Sequence, residues 1–344
     1  MERHGLRCSA RHRALGDAQV LWEFLGVAER ECGFDAVAAA ARTIAKQPSL
    51  PAAIDRAAID AIPEAPGVYI FYGESGAPLY VGKSVSMRTR VMAHFADGVR
   101  SAREAELAQK VRSIECERTC GELGALLREA ELVKALSPAH NRKLRRAAGL
   151  FTFVFEPHEA PHRSLRLAGG EEIGGESLPF MYGLFRTQRS ATAALRALAD
   201  AHGLCLQTLG HEKLPRGGAC FRNQVGRCAG VCAGKEGLAA HHARVAAALA
   251  RMKLPAWPYR GPVGLVESDA GREATEIHVA HNWCYLGTAR SEDELAAMVE
   301  SPPRGRFDHD HYAILTKFLG ARPRTRVIEL PAFAPDEEHL CTAN

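Results

Sequence analysis

Tyr69, Tyr80, Lys83, Arg90, Glu129 and Asn141 fall within one stretch of the 344-residue chain, and their types suit one kind of chemistry. Hydrolysis at phosphorus needs a cation on a phosphate oxygen, an activated water, and positive charge to meet the charge that builds on the leaving oxygen. Glu129 offers a carboxylate for the cation, Tyr69 and Tyr80 can flank the water, and Arg90 with Lys83 brings fixed positive charge. A neutral tyrosine is a poor base at pH 7, so a metal nearby has to lower its pKa. Each residue also has an ordinary reading. The tyrosines can be aromatic packing on a sheet, Glu129 a salt-bridge partner of Arg88 or Arg90, and Asn141 a loop former after a helix that stops before Pro138.

The elements that must hold these groups are short and well marked. Two β-rich runs, Val68 to Tyr72 and Leu79 to Val81, flank Gly73-Glu74-Ser75-Gly76, whose composition suits a hairpin turn. The hairpin sets both phenols at neighbouring positions of one sheet. A helix over 123–136 puts Leu123, Leu126, Leu127, Ala130 and Val133 on one apolar stripe, with Glu129 at its edge facing inward. An inward carboxylate is costly unless it meets a cation or a metal. Asn141 follows Glu129 by 12 residues, just beyond the helix.

With Arg90, Glu129 and Asn141, the segments Pro66-Gly67-Val68-Tyr69 and Leu79-Tyr80-Val81-Gly82-Lys83-Ser84 resemble the GIY-YIG endonuclease family, Val replacing Ile in both triplets. The resemblance implies a small α+β domain with a mixed or antiparallel sheet. It implies that Glu129 holds a single divalent ion, Mg²⁺ or Mn²⁺, that Arg90 contacts the scissile phosphate, and that Tyr69 positions or deprotonates the attacking water. Gly124 is a departure, because many relatives carry another acidic residue there.

Charge points to a nucleic-acid substrate. The whole chain carries only +4, but between Lys83 and Arg146 there are 14 Lys or Arg against 8 Asp or Glu. The excess ends in Arg142-Lys143-Leu144-Arg145-Arg146, directly after Asn141, where backbone phosphates would run past. Lys83, Arg88, Arg142, Lys143, Arg145 and Arg146 are the expected phosphate contacts; a solvated basic helix end is the plainer reading of the run.

Four of the ten cysteines, Cys205, Cys220, Cys228 and Cys232, fall within 28 residues. Four soft thiolates suit an iron–sulfur centre or tetrahedral zinc. Their steps of 15, 8 and 4 residues match neither the paired CxxC zinc signature nor the short ferredoxin run, and free thiols remain a third reading. The stretch from Cys220 to Cys232 resembles the cysteine-rich region of UvrC-type excinuclease subunits and the related Cho proteins, which implies a [4Fe-4S] cluster, with Zn²⁺ as the alternative. Cys8, Cys32, Cys116, Cys120, Cys284 and Cys341 are expected as isolated structural thiols.

At the front, His12-Arg13-Ala14-Leu15-Gly16-Asp17-Ala18 resembles the last motif of DnaQ-type proofreading exonucleases. Two-metal catalysis also needs an earlier Asp-x-Glu pair, for which no sequence precedes Met1, so the segment is expected to be a remnant without exonuclease chemistry, a helix over 14–28. The chain then resembles a truncated fusion of such an exonuclease to a GIY-YIG nuclease.

A 47% hydrophobic content is enough for a sizeable core. No signal-peptide run and no stretch near the roughly 18 apolar residues of a membrane helix is present, so a cytoplasmic protein is expected. The organisation reads as an exonuclease remnant over 1–46, a linker over 47–61, the nuclease over 62–146, a connecting α/β segment over 150–202, the cysteine-rich segment over 203–235, a helix and linker over 236–260, and a small α+β domain over 261–344. The RNase H-like pattern of spaced acidic residues found in full UvrC is missing from that last part, which resembles Cho. The expectation is a metal-dependent DNA endonuclease of nucleotide-excision repair, with UvrA and UvrB as partners by resemblance. The competing class is a binding module that keeps a retired nuclease fold.

Overall fold

The computed structural model describes residues 14–45, 50–51, 53–96, 102–141, 150–158, 162–212, 218–320, 325–333 and 342–343. His12, Arg142, Lys143, Arg145 and Arg146 therefore lie outside the described residues. The first two helices, α1 (Ala14–Cys32) and α2 (Phe34–Ala45), meet at Gly33, whose φ of 84° turns the chain between them. The expected helix is present and runs four residues further than its sequence pattern indicated.

The nuclease unit opens with α3 (Arg56–Asp60) and continues through β1 (Gly67–Tyr72), β2 (Pro78–Ser84), α4 (Met87–Phe95), α5 (Ala102–Lys110), β3 (Ser113–Arg118) and α6 (Glu122–Leu136). Its sheet has the order β2-β1-β3 and is antiparallel throughout. Tyr69 and Phe71 on one face of β1 pack with Met87, Val91 and Phe95 of α4 and with Leu107 of α5. Ile70, on the opposite face, packs with Val81 and with Val133 of α6. That alternation is the period of two expected of a strand buried on both sides.

The middle unit holds β4 (Phe151–Phe155), β5 (Leu165–Gly169), β6 (Met181–Phe185), α7 (Gln188–His202), α8 (Phe221–Gln224) and α9 (Leu238–Leu249). Phe153 and Leu165 of its antiparallel sheet lie against Ala191 and Leu195 of α7 and Val245 and Leu249 of α9. The connecting segment and the later helix, read as separate pieces from the sequence, thus form one sheet-and-helix layer. The cysteine segment is an excursion between α7 and α9. Thr187 caps α7 by accepting from Ser190 N, and Gly203 closes it in the left-handed region.

The last unit contains β7 (Val263–Asp269), β8 (Ala274–His281), β9 (Cys284–Ala289), α10 (Glu292–Glu300), β10 (Arg306–Phe307), α11 (His309–Phe318), β11 (Arg326–Glu329) and β12 (Thr342–Ala343). Four strands form an antiparallel sheet of order β11-β7-β8-β9, and β10 pairs with β12 in parallel. This unit shares its core. Leu265, Ala280, Trp283, Tyr312 and Leu315 pack with Leu123 and Leu127 of α6 and with Val154, Ala168 and Met181 of the middle sheet. Cys284, expected as an isolated structural thiol, is instead disulfide-bonded. Two cysteines isolated in sequence pair only when the fold brings their backbones close, which spacing does not reveal.

Candidate active site

The two tyrosines stand diagonally on one face of the β1–β2 hairpin, with Tyr69 opposite Gly82 and Tyr80 opposite Phe71. Their ring centres are 6.2 Å apart. Tyr69 leans across the partner strand, and a Cβ at Gly82 would lie only 2.4 Å from its phenol oxygen. The glycine of the second triplet is therefore a space requirement.

Tyr69 has no exposed surface, and its hydroxyl meets His94 Nε2 at 2.8 Å. The phenol is covered and meets the cleft through His94, with Arg90 and Tyr80 also in hydrogen-bonding reach. Burial, reinforced by Tyr80, pushes the Tyr69 phenol up, against the opposing charge of Arg90. Burial also raises half-buried Tyr80, and the nearby Glu129 charge adds to it. Both phenols are neutral near pH 7.

Helix α4 supplies Arg90 and His94 from one face, four residues apart. Arg90 is exposed, and with Tyr80, His94, Arg103, Glu104 and His140 it lines a cleft of about 280 Å³. His94 was missed in the sequence because a lone histidine on a helix has no motif of its own. The i+4 spacing from Arg90 was the available signal. An imidazole can take the proton that a neutral, buried phenol cannot.

Glu129 sits on α6, half-buried, without a hydrogen bond or ion pair among the described residues. Its carboxyl is pushed up to about 7 by burial, with Lys83 pulling the other way. Arg88 is not its partner. The Arg88 guanidinium donates to the carbonyls of Ile62 at 2.8 Å and Asp60 at 2.9 Å, which fastens α4 to the end of α3. Lys83 donates to Glu122 at 3.2 Å, so its charge near the site is already shared. A desolvated carboxylate left unpaired beside two phenols is what a divalent cation would relieve, and the donor set fits a single oxygen-liganded ion completed by water and substrate.

Asn141 is buried, and both ends of its amide are used: Oδ1 accepts from Val81 N at 2.9 Å, and Nδ2 donates to Val81 O at 2.8 Å. Each end of the amide is thereby engaged by Val81, with one N–H and one oxygen lone pair left over. Asn141 pins the open side of edge strand β2. Asn141→Ala strands both Val81 groups and is expected to cost about 1–3 kcal/mol. Chemical denaturation measures this, and an unchanged midpoint would release Asn141 from its structural duty.

The cysteine segment also closes on itself. The sulfurs of Cys205, Cys220, Cys228 and Cys232 lie within 4.8 Å of one another, and the first three residues are buried. Backbone amides of Cys220 and Gly230 donate to the sulfurs of Cys232 and Cys228, each at 3.4 Å. Burial pushes Cys220 up to about 11 and raises Cys228 further, whereas Cys205, though buried, is held lower by Thr208. Buried His241 accepts from Cys205 N at 3.0 Å and fixes that end of the loop. Four converging thiols with amides aimed at the sulfurs fit a thiolate-bound metal.

Three family models match the chain: the UvrC-like GIY-YIG domain over 65–142, the UvrC/Cho excinuclease middle domain over 163–251, and the excinuclease Cho C-terminal domain over 262–334. Excinuclease cho of Escherichia coli (strain K12) is 39% identical over 265 residues, covering 77% of this chain and 85% of that one. Excinuclease cho of Salmonella typhimurium (strain LT2) is 40% identical over 258 residues, covering 75% and 84%. The crystal structure of the GIY-YIG N-terminal endonuclease domain of UvrC from Thermotoga maritima, bound to magnesium, covers 25% of this chain and 93% of its own at 29% identity and a TM-score of 0.23.

Proposed function

The chain belongs to the excinuclease Cho family, and from that premise we propose that it incises DNA in excision repair by metal-dependent hydrolysis of one phosphodiester bond. The observation that carries this reading is Glu129: a half-buried carboxyl raised to about 7, unpaired, beside the cleft of Tyr80, Arg90 and His94. Glu129 would hold the divalent ion, which when bound supplies positive charge for a phosphate oxygen and for the incoming water. Arg90 meets a non-bridging phosphate oxygen. Tyr80 orients the water by hydrogen bonding, and His94 accepts its proton while Tyr69, bonded behind it, holds the imidazole in place. The water oxygen forms a bond to phosphorus, the bond to the leaving deoxyribose oxygen breaks, and that oxygen takes up a proton.

We further infer that the four cysteines hold a resident metal centre. Sulfurs within 4.8 Å of one another are spaced like the ligands of one tetrahedral ion. A [4Fe-4S] cubane spreads its thiolates over four irons and would need the loop to part. The helical pair over 14–45 lies outside the three matched ranges, and we assign it no part in the chemistry.

The test is incision mapping on a duplex with one defined lesion, in Mg²⁺ or Mn²⁺, with and without UvrA and UvrB. A single ion-dependent cut is the expected result. Tight binding without cutting under every condition would overturn the enzyme reading in favour of a binding module.

A further inference from the structure

Helix α6, which carries Glu129, has an N-terminus closed from far away in the chain. Its N-cap position is Gly121, with no side chain to offer. The orphan amides an N-cap Ser or Asp would take are those of the second and third helical residues, Leu123 and Gly124. Both are taken by one carboxylate of β7. Glu267 Oε1 accepts from Leu123 N at 2.9 Å, and Oε2 accepts from Gly124 N at 2.8 Å. Behind it, buried His278 Nε2 lies 3.2 Å from the same Oε2, and His278 Nδ1 lies 2.7 Å from Thr288 Oγ1. Beside it, Cys120 N donates to Glu276 Oε2 at 2.9 Å.

Two glycines make the approach possible. A Cβ at Gly121 would lie 2.2 Å from Glu267 Oε1, and one at Gly124 would lie 2.9 Å from Glu276 Oε2. The sequence departure at Gly124 thus has a physical reason. The far end of α6 is held by the same unit, because Lys134 Nζ lies 2.5 Å from Asp308 and 3.7 Å from Asp310 at the start of α11.

We propose that Glu267 is a positioning residue of the nuclease site, a helix cap delivered by the C-terminal unit that sets α6 along its axis and thereby sets the Glu129 carboxylate. Glu129 stands about 8 Å along the helix from the capped amides, and a helix transmits an axial shift of its end over that length. A negative charge at the N-terminus also suits the helix dipole. Although burial opposes it, the bonds from His278 and the two amides hold the Glu267 carboxyl below its usual range.

The inference rests on Glu129 as the metal ligand. The test is Mn²⁺ binding to the DNA-free protein by calorimetry and electron paramagnetic resonance, with the E129Q form of each variant subtracting other sites. E267Q offers one oxygen where two amides need two, and E267A offers none; each is expected to weaken binding about 10- to 100-fold. The double variant G121D/E267A supplies the cap within the helix and is expected to recover most of the affinity. G121D alone, pressed against Glu267, is expected to bind worse than wild type. Wild-type affinity in both Glu267 variants, or a double variant that regains thermal stability but not Mn²⁺, would overturn the proposal. Should E129Q itself bind like wild type, the metal assignment falls instead. The cap is then judged on single-turnover incision, where loss in E267A and recovery in the double variant support it and any other pattern refutes it.

Discussion

Glu129→Gln removes incision by about 10³-fold or more, because the ion that meets the phosphate charge loses its protein ligand. The same change makes the metal-free protein more heat-stable at pH 8. The Glu129 carboxyl has a usual value of 4.5, raised to about 7 in the fold. A raised acid is no burden below the unfolded value, becomes one as pH climbs from there to about 7, and stays one above. The gain in Tm from Glu129→Gln is therefore near zero at pH 4.5 and largest above pH 7. Metal and proton compete for this carboxyl, so the half-saturating Mg²⁺ concentration for incision is expected to rise about tenfold per unit below pH 7. Single-turnover incision across pH, with parallel melting curves, measures both. A glutamine variant that cuts at the wild-type rate would remove Glu129 from the site.

Cys228→Ser is expected to empty the cysteine site and to lower Tm by roughly 10 °C or more. Losing a ligand present at 1,000 times its dissociation constant removes about 4 kcal/mol, and each kcal/mol moves Tm by about 2–4 °C at this size. Among the described residues, Cys205, Cys220 and Cys228 form a small apolar cluster with Val231 and Cys232 packed against it, and Phe221 of α8 and Val225 just after it are exposed. Metal analysis by mass spectrometry should find one zinc per chain in the wild type and none in the variant. Four irons with a broad visible absorption would mean that the loop opens to admit a cubane. Unchanged melting with no metal in either protein would return the thiols to ordinary packing.

Much of the site could be read before the structure because its parts are local. The hairpin carrying Tyr69 and Tyr80 announces itself by β-rich runs around a glycine turn, and α6 by an apolar stripe with one misplaced carboxylate. Strand β3 could not be read this way, since Glu115, Glu117 and Arg118 give an edge strand the composition of a loop. Asn141 showed its position but not its task, because a residue that brackets Val81 from 60 positions away leaves no periodic trace. Glu267 is the extreme case. It lies within strand β7, with no motif around it, and its partners lie 143 and 144 positions earlier.

The sharing of α6 between two cores bears on how the molecule opens and closes. One side of the helix belongs with Ile70 and Val81, the other with Leu265, Trp283 and Leu315, and both ends are tied to the C-terminal unit. The nuclease strands and the C-terminal sheet are thus joined in one cooperative folding unit, with the amides of α6 exchanging hydrogen only when that whole unit unfolds. Contacts between residues more than a hundred positions apart must form before Glu129 has a fixed place, so folding of this region is governed by slow, long-range closure.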